Sequence, residues 1–335
     1  MTRRVRTLRA AVVGAGLMGR WHARELTRLG HALVAVIDSS EKKARALAKE
    51  HDGAREFTTL SDALLNDSFD VVHICTPLDS HAPLATQALE AGASVLVEKP
   101  LAADLATTQR LLDLASSKNL LLNPVHQFAF QQGEEQAGKN LPRLQGLLHV
   151  DFTACSAGAA DQSDDEHERI ALEILPHPLS LLARLLSSNS DDYEWKALRM
   201  GKGEIRCLGA ALGTAISLTI SMHGRPTQNY IRLIGREGTI HADLFHGFGV
   251  TERGTVSKMR KILHPFTLSS ATLLNAGHNL ARRTIEQEQA YPGLRALMRA
   301  FYSALQGRKP PPLPPEQILF VARERDRLIK LLAGE

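Results

Sequence analysis

Three stretches of this sequence carry residue types that could do chemistry at one ligand. The first is Gly14-Ala15-Gly16-Leu17-Met18-Gly19, directly after the apolar run Ala10 to Val13 and directly before an amphipathic segment. In a G-x-G-x-x-G turn so placed, Gly14 permits the tight bend, Gly16 lets the backbone approach a pyrophosphate, and Gly19 lets the helix pack closely. The first N–H groups of the helix, those of Leu17 and Met18 among them, then face the anion. The second stretch is Asp38-Ser39, which ends another apolar run nineteen residues after Gly19. A carboxylate there accepts hydrogen bonds from the ribose hydroxyls of an adenosine. Together the two predict dinucleotide binding. Asp38 repels a 2′-phosphate and so favours NAD, while Lys42 and Lys43 keep NADP open.

The third stretch is a pair of strand ends, Cys75-Thr76-Pro77 and Glu98-Lys99-Pro100. Open parallel sheets bind ligands beyond the carboxyl ends of their strands. A lysine at such an end, Lys99, could polarise a carbonyl or stabilise an alkoxide. The histidines invite metal readings, notably Asp164-Asp165-Glu166-His167-Glu168 and the scattered His241, His246, His264 and His278. None has recognised ligand spacing, so no metal is expected, and the acidic stretch reads as a solvated loop near the site entrance.

The elements that must position these groups follow from the hydrophobic pattern. The chain has 335 residues, is 44% hydrophobic and carries a net charge of +4, which excludes disordered, collagen-like and coiled-coil classes and predicts two domains. The excess charge is scattered, and its densest cluster, Arg3, Arg4, Arg6 and Arg9, reads as a solvated arm rather than a nucleic-acid surface. Three cysteines without C-x-x-C spacing indicate neither disulfides nor zinc knuckles. No segment reads as a signal peptide or membrane span, so the expected place of work is the cytoplasm.

The first 125 residues alternate short β-branched runs (Ala10 to Val13, Leu33 to Ile37, Asp70 to Cys75, Ser94 to Val97, Leu120 to Asn123) with helical patterns near 18–29, 40–50, 81–91 and 104–117. This is the grammar of βαβ units and a doubly wound parallel sheet. Later the period changes to two. Ile216, Leu218, Ile220 and Met222 alternate with Ser217, Thr219 and Ser221, and Asn229 to Ile234 and Thr239 to Leu244 flank a turn at 235–238, as in antiparallel strands. Helices are expected at Leu294 to Leu305 and Glu316 to Leu332, joined by the extended Lys309 to Pro315.

GAGLMG at 14–19, CTP at 75–77 with His81 behind it, and VEKPLA at 97–102 together resemble the glucose-fructose oxidoreductase, inositol dehydrogenase and MocA (Gfo/Idh/MocA) family. The resemblance continues through IRLIGREGTIHADL at 231–244 and GLRALMRAFYSALQGR at 293–308. It implies an α/β protein: a Rossmann domain over 1–125, then an α/β substrate and oligomerisation domain over 126–335 with a large, mostly antiparallel open sheet. The last helix is free to pack back on the Rossmann domain. The implied activity is hydride transfer between a nicotinamide and a carbon of a sugar, cyclitol or sugar nucleotide, in a homo-oligomer paired through the second sheet. No nucleic-acid or membrane partner is implied.

The family's second motif, an Asp followed four residues on by His, matches Glu173-Ile174-Leu175-Pro176-His177, with the later Asp replaced by Ser180. The resemblance makes His177 the proton donor or acceptor, Lys99 the oxyanion stabiliser and Glu173 the modulator of the imidazole. It also places Glu98, His81 and Gln127, the last where relatives often show Asn, among the cofactor contacts. Pro176 and Pro178 predict that a helix begins near them and carries Leu179 to Leu186 into the core. Two further readings stand beside the dehydrogenase: a nicotinamide-binding sensor without turnover, and a reductase of an imine or unsaturated acceptor, for which Leu175 and Ala129 would mark a less polar pocket.

Overall fold

The structure is a computed structural model that describes residues 6–156, 161–254 and 257–334. It divides into two compact units, one of residues 1–125 with 297–322 and one of 126–296 with 323–335. Arg3 and Arg4 lie outside the described residues.

The first unit is built from β1 (Arg9–Val13), α1 (Leu17–Arg28), β2 (Ala32–Ile37), α2 (Glu41–Ala48), β3 (Arg55–Phe57), α3 (Leu60–Asn66), β4 (Val71–Ile74), α4 (His81–Glu90), β5 (Ser94–Val97), α5 (Leu105–Ser117) and β6 (Leu122–Pro124). Its six strands lie in the order β3-β2-β1-β4-β5-β6. Every pair is parallel. β1, β4 and β5 are buried over almost their whole length, as strands covered on both faces must be. The sequence pattern misses β3 and α3. β3 is three residues long, sits at the sheet edge and is mostly exposed, so it leaves no apolar run to read.

Residues 297–322, placed by sequence with the second domain, group with this unit and bury Phe301, Tyr302 and Phe320. The arm read as solvated is ion-paired where it is described: Arg6 meets Asp70 at 2.6 Å and Arg9 pairs with Asp67.

The second unit contains α6 (Gln132–Asn140), β7 (Leu147–Cys155), α7 (Asp164–Ile174), α8 (Pro176–Leu185), β8 (Tyr193–Gly201), β9 (Glu204–Ala211), β10 (Thr214–Ser221), β11 (Gln228–Gly235), β12 (Gly238–Asp243), β13 (Phe248–Arg253) and α9 (Lys258–Ile285). Then come α10 (Leu294–Leu305) and α11 (Pro315–Ala333), each divided between the two units. The seven-stranded sheet has the order β13-β12-β11-β7-β10-β9-β8. It is antiparallel except for β7 with β10, which run parallel, Ile216 opposite Val150 and Leu218 opposite Phe152. The period-2 residues Ile216, Leu218, Ile220 and Met222 are all buried. The second half of α11 is fixed to β8 by Trp195 Nε1 donating to Glu324 at 2.7 Å and by Arg327 donating to the Tyr193 carbonyl at 2.8 Å. No helix of the described residues is long and apolar enough to cross a membrane.

The acidic stretch read as a loop is the first turn of α7. Ser163 caps it by accepting from the Glu166 N–H at 3.3 Å, and Asp164, Asp165 and Glu166 complement the helix dipole.

On α6, Glu134 is buried with Arg184 3.4 Å away, and burial pushes its carboxyl up to about 7 despite that cation. A carboxyl raised in the folded state adds stability that is full below its unfolded value and is lost as pH rises through about 7. Glu134→Gln is therefore expected to gain stability relative to the parent between pH 5 and 8, by up to about 3 kcal/mol. Urea denaturation at the two pH values checks this, and a pH-independent difference would contradict it.

Candidate functional site

The glycine turn of the first unit is held by close backbone packing. Gly14 adopts φ +95° and donates its N–H to the Ile37 carbonyl at 2.7 Å. A Cβ on Gly14 would lie 2.5 Å from the Cys75 carbonyl oxygen, and one on Gly19 would lie 1.7 Å from the Gly14 oxygen. These two glycines are required by the fold itself. Gly16 is different: nothing lies within 4 Å of its would-be Cβ, and it begins α1 without a side-chain cap. Space and uncapped N–H groups therefore meet where a pyrophosphate would sit.

Asp38 stands at the end of β2. One carboxylate oxygen accepts from the Ala15 N–H at 2.8 Å and the other from the Ser40 N–H at 2.9 Å. Each oxygen keeps a further lone pair for a ribose hydroxyl. Gly14, Gly16, Asp38, Ser39, Lys43, Cys75, Thr76 and Pro77 line one cavity of about 590 Å³, within the usual size of a cofactor site. The spaced glycines and the carboxylate thus come together around one cavity. Leu17, at the start of α1, is exposed.

The strand-end residues fill two roles. Burial, aided by the nearby Glu98 carboxylate, holds the Cys75 thiol well above its ordinary pKa, so it lines the cavity as an inert group. His81 is buried, with its ring nitrogens 2.8 Å from the Pro100 carbonyl and 2.7 Å from the Thr76 carbonyl. The ring ties the two strand-end loops together and does not line the cavity.

Beneath Glu98 and Lys99 runs a buried polar chain that sequence reading did not find. His22, read as simple packing on the first helix, places Nε2 3.2 Å from Glu98 and Nδ1 2.8 Å from His73 Nδ1, and His73 Nε2 lies 2.8 Å from the Tyr302 hydroxyl. One set of neutral tautomers satisfies every contact: Tyr302 donates to His73, His73 to His22, and His22 to the carboxylate. Burial supports this set by holding His73 well below its ordinary pKa and Tyr302 well above it. The other Glu98 oxygen accepts from the Lys99 N–H at 3.3 Å. The only signal in the sequence is a histidine inside the apolar run of β4.

In the second unit, α8 begins at Pro176 as the prolines predicted, and Leu179, Leu181 and Leu182 enter the core, while Leu185 and Leu186 at its end are only half-buried. His177 is buried, its ring stacked on Phe128 at 4.1 Å between centroids. Ser180 donates its hydroxyl to the His177 carbonyl at 2.8 Å, a local helix bond. Glu173 is the penultimate residue of α7 and pairs with Arg169. Gln127 is buried, and its side-chain oxygen has no hydrogen bond among the described residues. Leu175 and Ala129, read as marks of a less polar pocket, are 0% and 1% exposed and belong to the core.

Comparison with known proteins bears on the family and the fold. Residues 8–126 match the sequence profile of the oxidoreductase family with an NAD-binding Rossmann fold. Inositol 2-dehydrogenase of Corynebacterium glutamicum is 35% identical over 141 residues, 42% of this chain and 41% of that protein. A dTDP-3,4-didehydro-2,6-dideoxy-α-D-glucose 3-reductase of Streptomyces violaceoruber is 32% identical over 224 residues, 62% of this chain and 64% of that one. The chain thus matches less than two thirds of the length of either relative. In three dimensions it is similar to the WlbA dehydrogenase from Bordetella pertussis in complex with NADH and UDP-GlcNAcA. The TM-score is 0.79, with 17% identity, over 98% of this chain and 96% of that one, which establishes a shared fold.

Proposed function

We propose, from the premise that residues 8–126 of this chain belong to the Gfo/Idh/MocA oxidoreductase family with its NAD-binding Rossmann fold, that the protein is an NAD(H)-dependent dehydrogenase or reductase. Its substrate class is a sugar, cyclitol or sugar nucleotide, and its place of work the cytoplasm. The observation that carries the reading is the Asp38 carboxylate, fixed by two backbone N–H groups at the lip of the cavity behind the glycine turn.

The nicotinamide, when bound, supplies the hydride acceptor or donor. The residues of this chain do the rest. The Gly14 to Gly19 turn holds the pyrophosphate with backbone N–H groups, and Asp38 accepts from the adenosine ribose. Lys99 donates to the substrate oxygen and stabilises the charge that develops there. His177 takes the hydroxyl proton as hydride leaves in oxidation and returns it in reduction. Glu173 tunes that imidazole, and the Gln127 amide is a contact for the cofactor. The relatives named for inositol and for a dTDP-sugar support the substrate class.

Parallel titrations with NADH and NADPH, followed by nicotinamide fluorescence, test the reading. NADH is expected to bind in the micromolar range and ahead of NADPH. Losing charge-assisted hydrogen bonds costs about 1.5–3 kcal/mol, so Asp38→Ala should weaken NADH roughly 10- to 100-fold. NADPH should lose less, since Lys43 lines the same cavity and offers a cation to the 2′-phosphate. Binding of neither nucleotide would remove the basis of the proposal.

A further inference from the structure

Where α7 packs on its own sheet, the second unit gathers two imidazoles and a carboxylate that the proposed reaction does not use. Asp164 and His167 lie three residues apart on one face of α7. His223 comes from the segment just after β10, more than fifty residues on. One ligand atom from each of the three lies within 4.8 Å of the others, and the His167 and His223 rings meet edge-on with centroids 4.8 Å apart. The helix dipole accounts for acids in the first turn of α7, but not for two imidazoles drawn together beside them.

The surroundings hold these groups as a metal site would require. Glu204 accepts from His223 Nδ1 at 3.0 Å, from the His223 N–H at 3.2 Å and from the Ser221 hydroxyl at 2.8 Å. A carboxylate on Nδ1 fixes the tautomer and leaves the lone pair of His223 on Nε2, the relation that second-shell carboxylates have to metal-bound histidines. Glu168 accepts from the Gly203 N–H at 2.9 Å and pairs with Arg199 at 2.8 Å, which ties α7 to the turn between β8 and β9. His167 is thereby held in the packed framework, while Asp164 and His223 are exposed and free to adjust.

We propose that Asp164, His167 and His223 bind a divalent transition-metal ion of the zinc class. Two imidazoles and one carboxylate form a borderline donor set, suited to zinc rather than to the all-oxygen preference of magnesium or calcium. Zinc–ligand distances of about 2.0–2.2 Å place tetrahedral ligand atoms roughly 3.4 Å apart, so shifts of about an ångström in the two exposed side chains close the set. Three protein ligands leave the fourth position to water or a small anion. The ion would brace the start of α7 against the end of β10. This site does not depend on the dehydrogenase reading.

The test uses the full chain without an affinity tag, stripped of metal by a chelator and titrated with Zn²⁺ against a chromophoric chelator. Co²⁺ spectra report the coordination number. One equivalent of sub-micromolar Zn²⁺ and the intense d–d bands of tetrahedral Co²⁺ are expected. Asp164→Asn and His223→Gln should each weaken binding at least tenfold, and Glu204→Gln roughly 10- to 100-fold, the usual cost of losing an outer-shell partner. Circular dichroism and urea denaturation identify folded variants, and His223→Gln, on an exposed segment, serves if a helix variant does not fold. The proposal falls if the parent binds no tighter than the Asp164→Asn/His223→Gln double variant. It falls equally if the double variant retains one tight equivalent, which would place the ion elsewhere, for instance at His241, His264 and Glu252.

Discussion

Replacing His177 by Ala is expected to lower kcat roughly 100- to 10,000-fold, the range of a lost general acid or base. The proposal gives His177 the one proton that must move as hydride moves, so its loss belongs in kcat. NADH affinity should survive, because the Asp38 cavity lies wholly in the first unit. His177 is buried and stacked on Phe128, so truncation also leaves a void. His177→Gln fills much of that volume without a ring nitrogen to take up and return the proton, and should show the same loss. Lys99→Ala is expected to lower kcat/KM by a comparable factor through loss of oxyanion stabilisation. Turnover on inositols, sugars and sugar nucleotides, measured with purified and folded variants, decides the matter. An unimpaired kcat in folded His177→Gln would remove the histidine from the mechanism. Tight NADH binding by the parent with no turnover on any carbonyl, polyol or imine would favour the sensor.

Gly19→Ala should be the most damaging methyl group that can be added to the first unit. Its Cβ would stand 1.7 Å from the Gly14 carbonyl oxygen, and that atom is backbone, with Gly14 itself pressed against the Cys75 carbonyl. No rotamer relieves the collision, so α1 must move off the turn. A loss of roughly 3–5 kcal/mol is expected, the size reserved for core overpacking and backbone strain. Gly16→Ala offers the contrast. Its Cβ meets nothing within 4 Å and its φ of −75° suits alanine, so stability should change by less than about 0.5 kcal/mol. The added methyl instead occupies space proposed for the pyrophosphate, so NADH binding should weaken while the fold persists. Urea denaturation with NADH titration separates the two effects. A Gly19→Ala protein as stable as the parent would refute the close approach of helix and strand.

Much of the first unit was legible because its signals are local. A glycine turn sits between a strand and a helix, and Asp38 ends the next strand beside it, so spacing along the chain nearly fixes spacing in the fold. The buried parallel strands announced themselves as apolar runs, and the two prolines at 176 and 178 marked the start of α8. Where the pattern failed, the cause was a short or solvated element. β3 has no apolar run, the long α9 carries many exposed apolar side chains that blur its helical stripe, and Asp164 to Glu168 looked like a loop because helix starts and loops share acidic residues.

The sequence by itself determined the glycine turn, Asp38, the Lys99 strand end, the buried parallel strands that carry them, and the resemblance those motifs make. Tertiary structure alone decided the contacts between residues far apart in the chain. Tyr302 reaches His73 across 229 positions to complete the buried chain to Glu98, and His223 arrives beside Asp164 and His167. Residues 297–322 group with the first unit although they follow most of the second. The physical reason is the same in each case: hydrophobic periodicity reports which face of an element is buried, but not which distant element buries it.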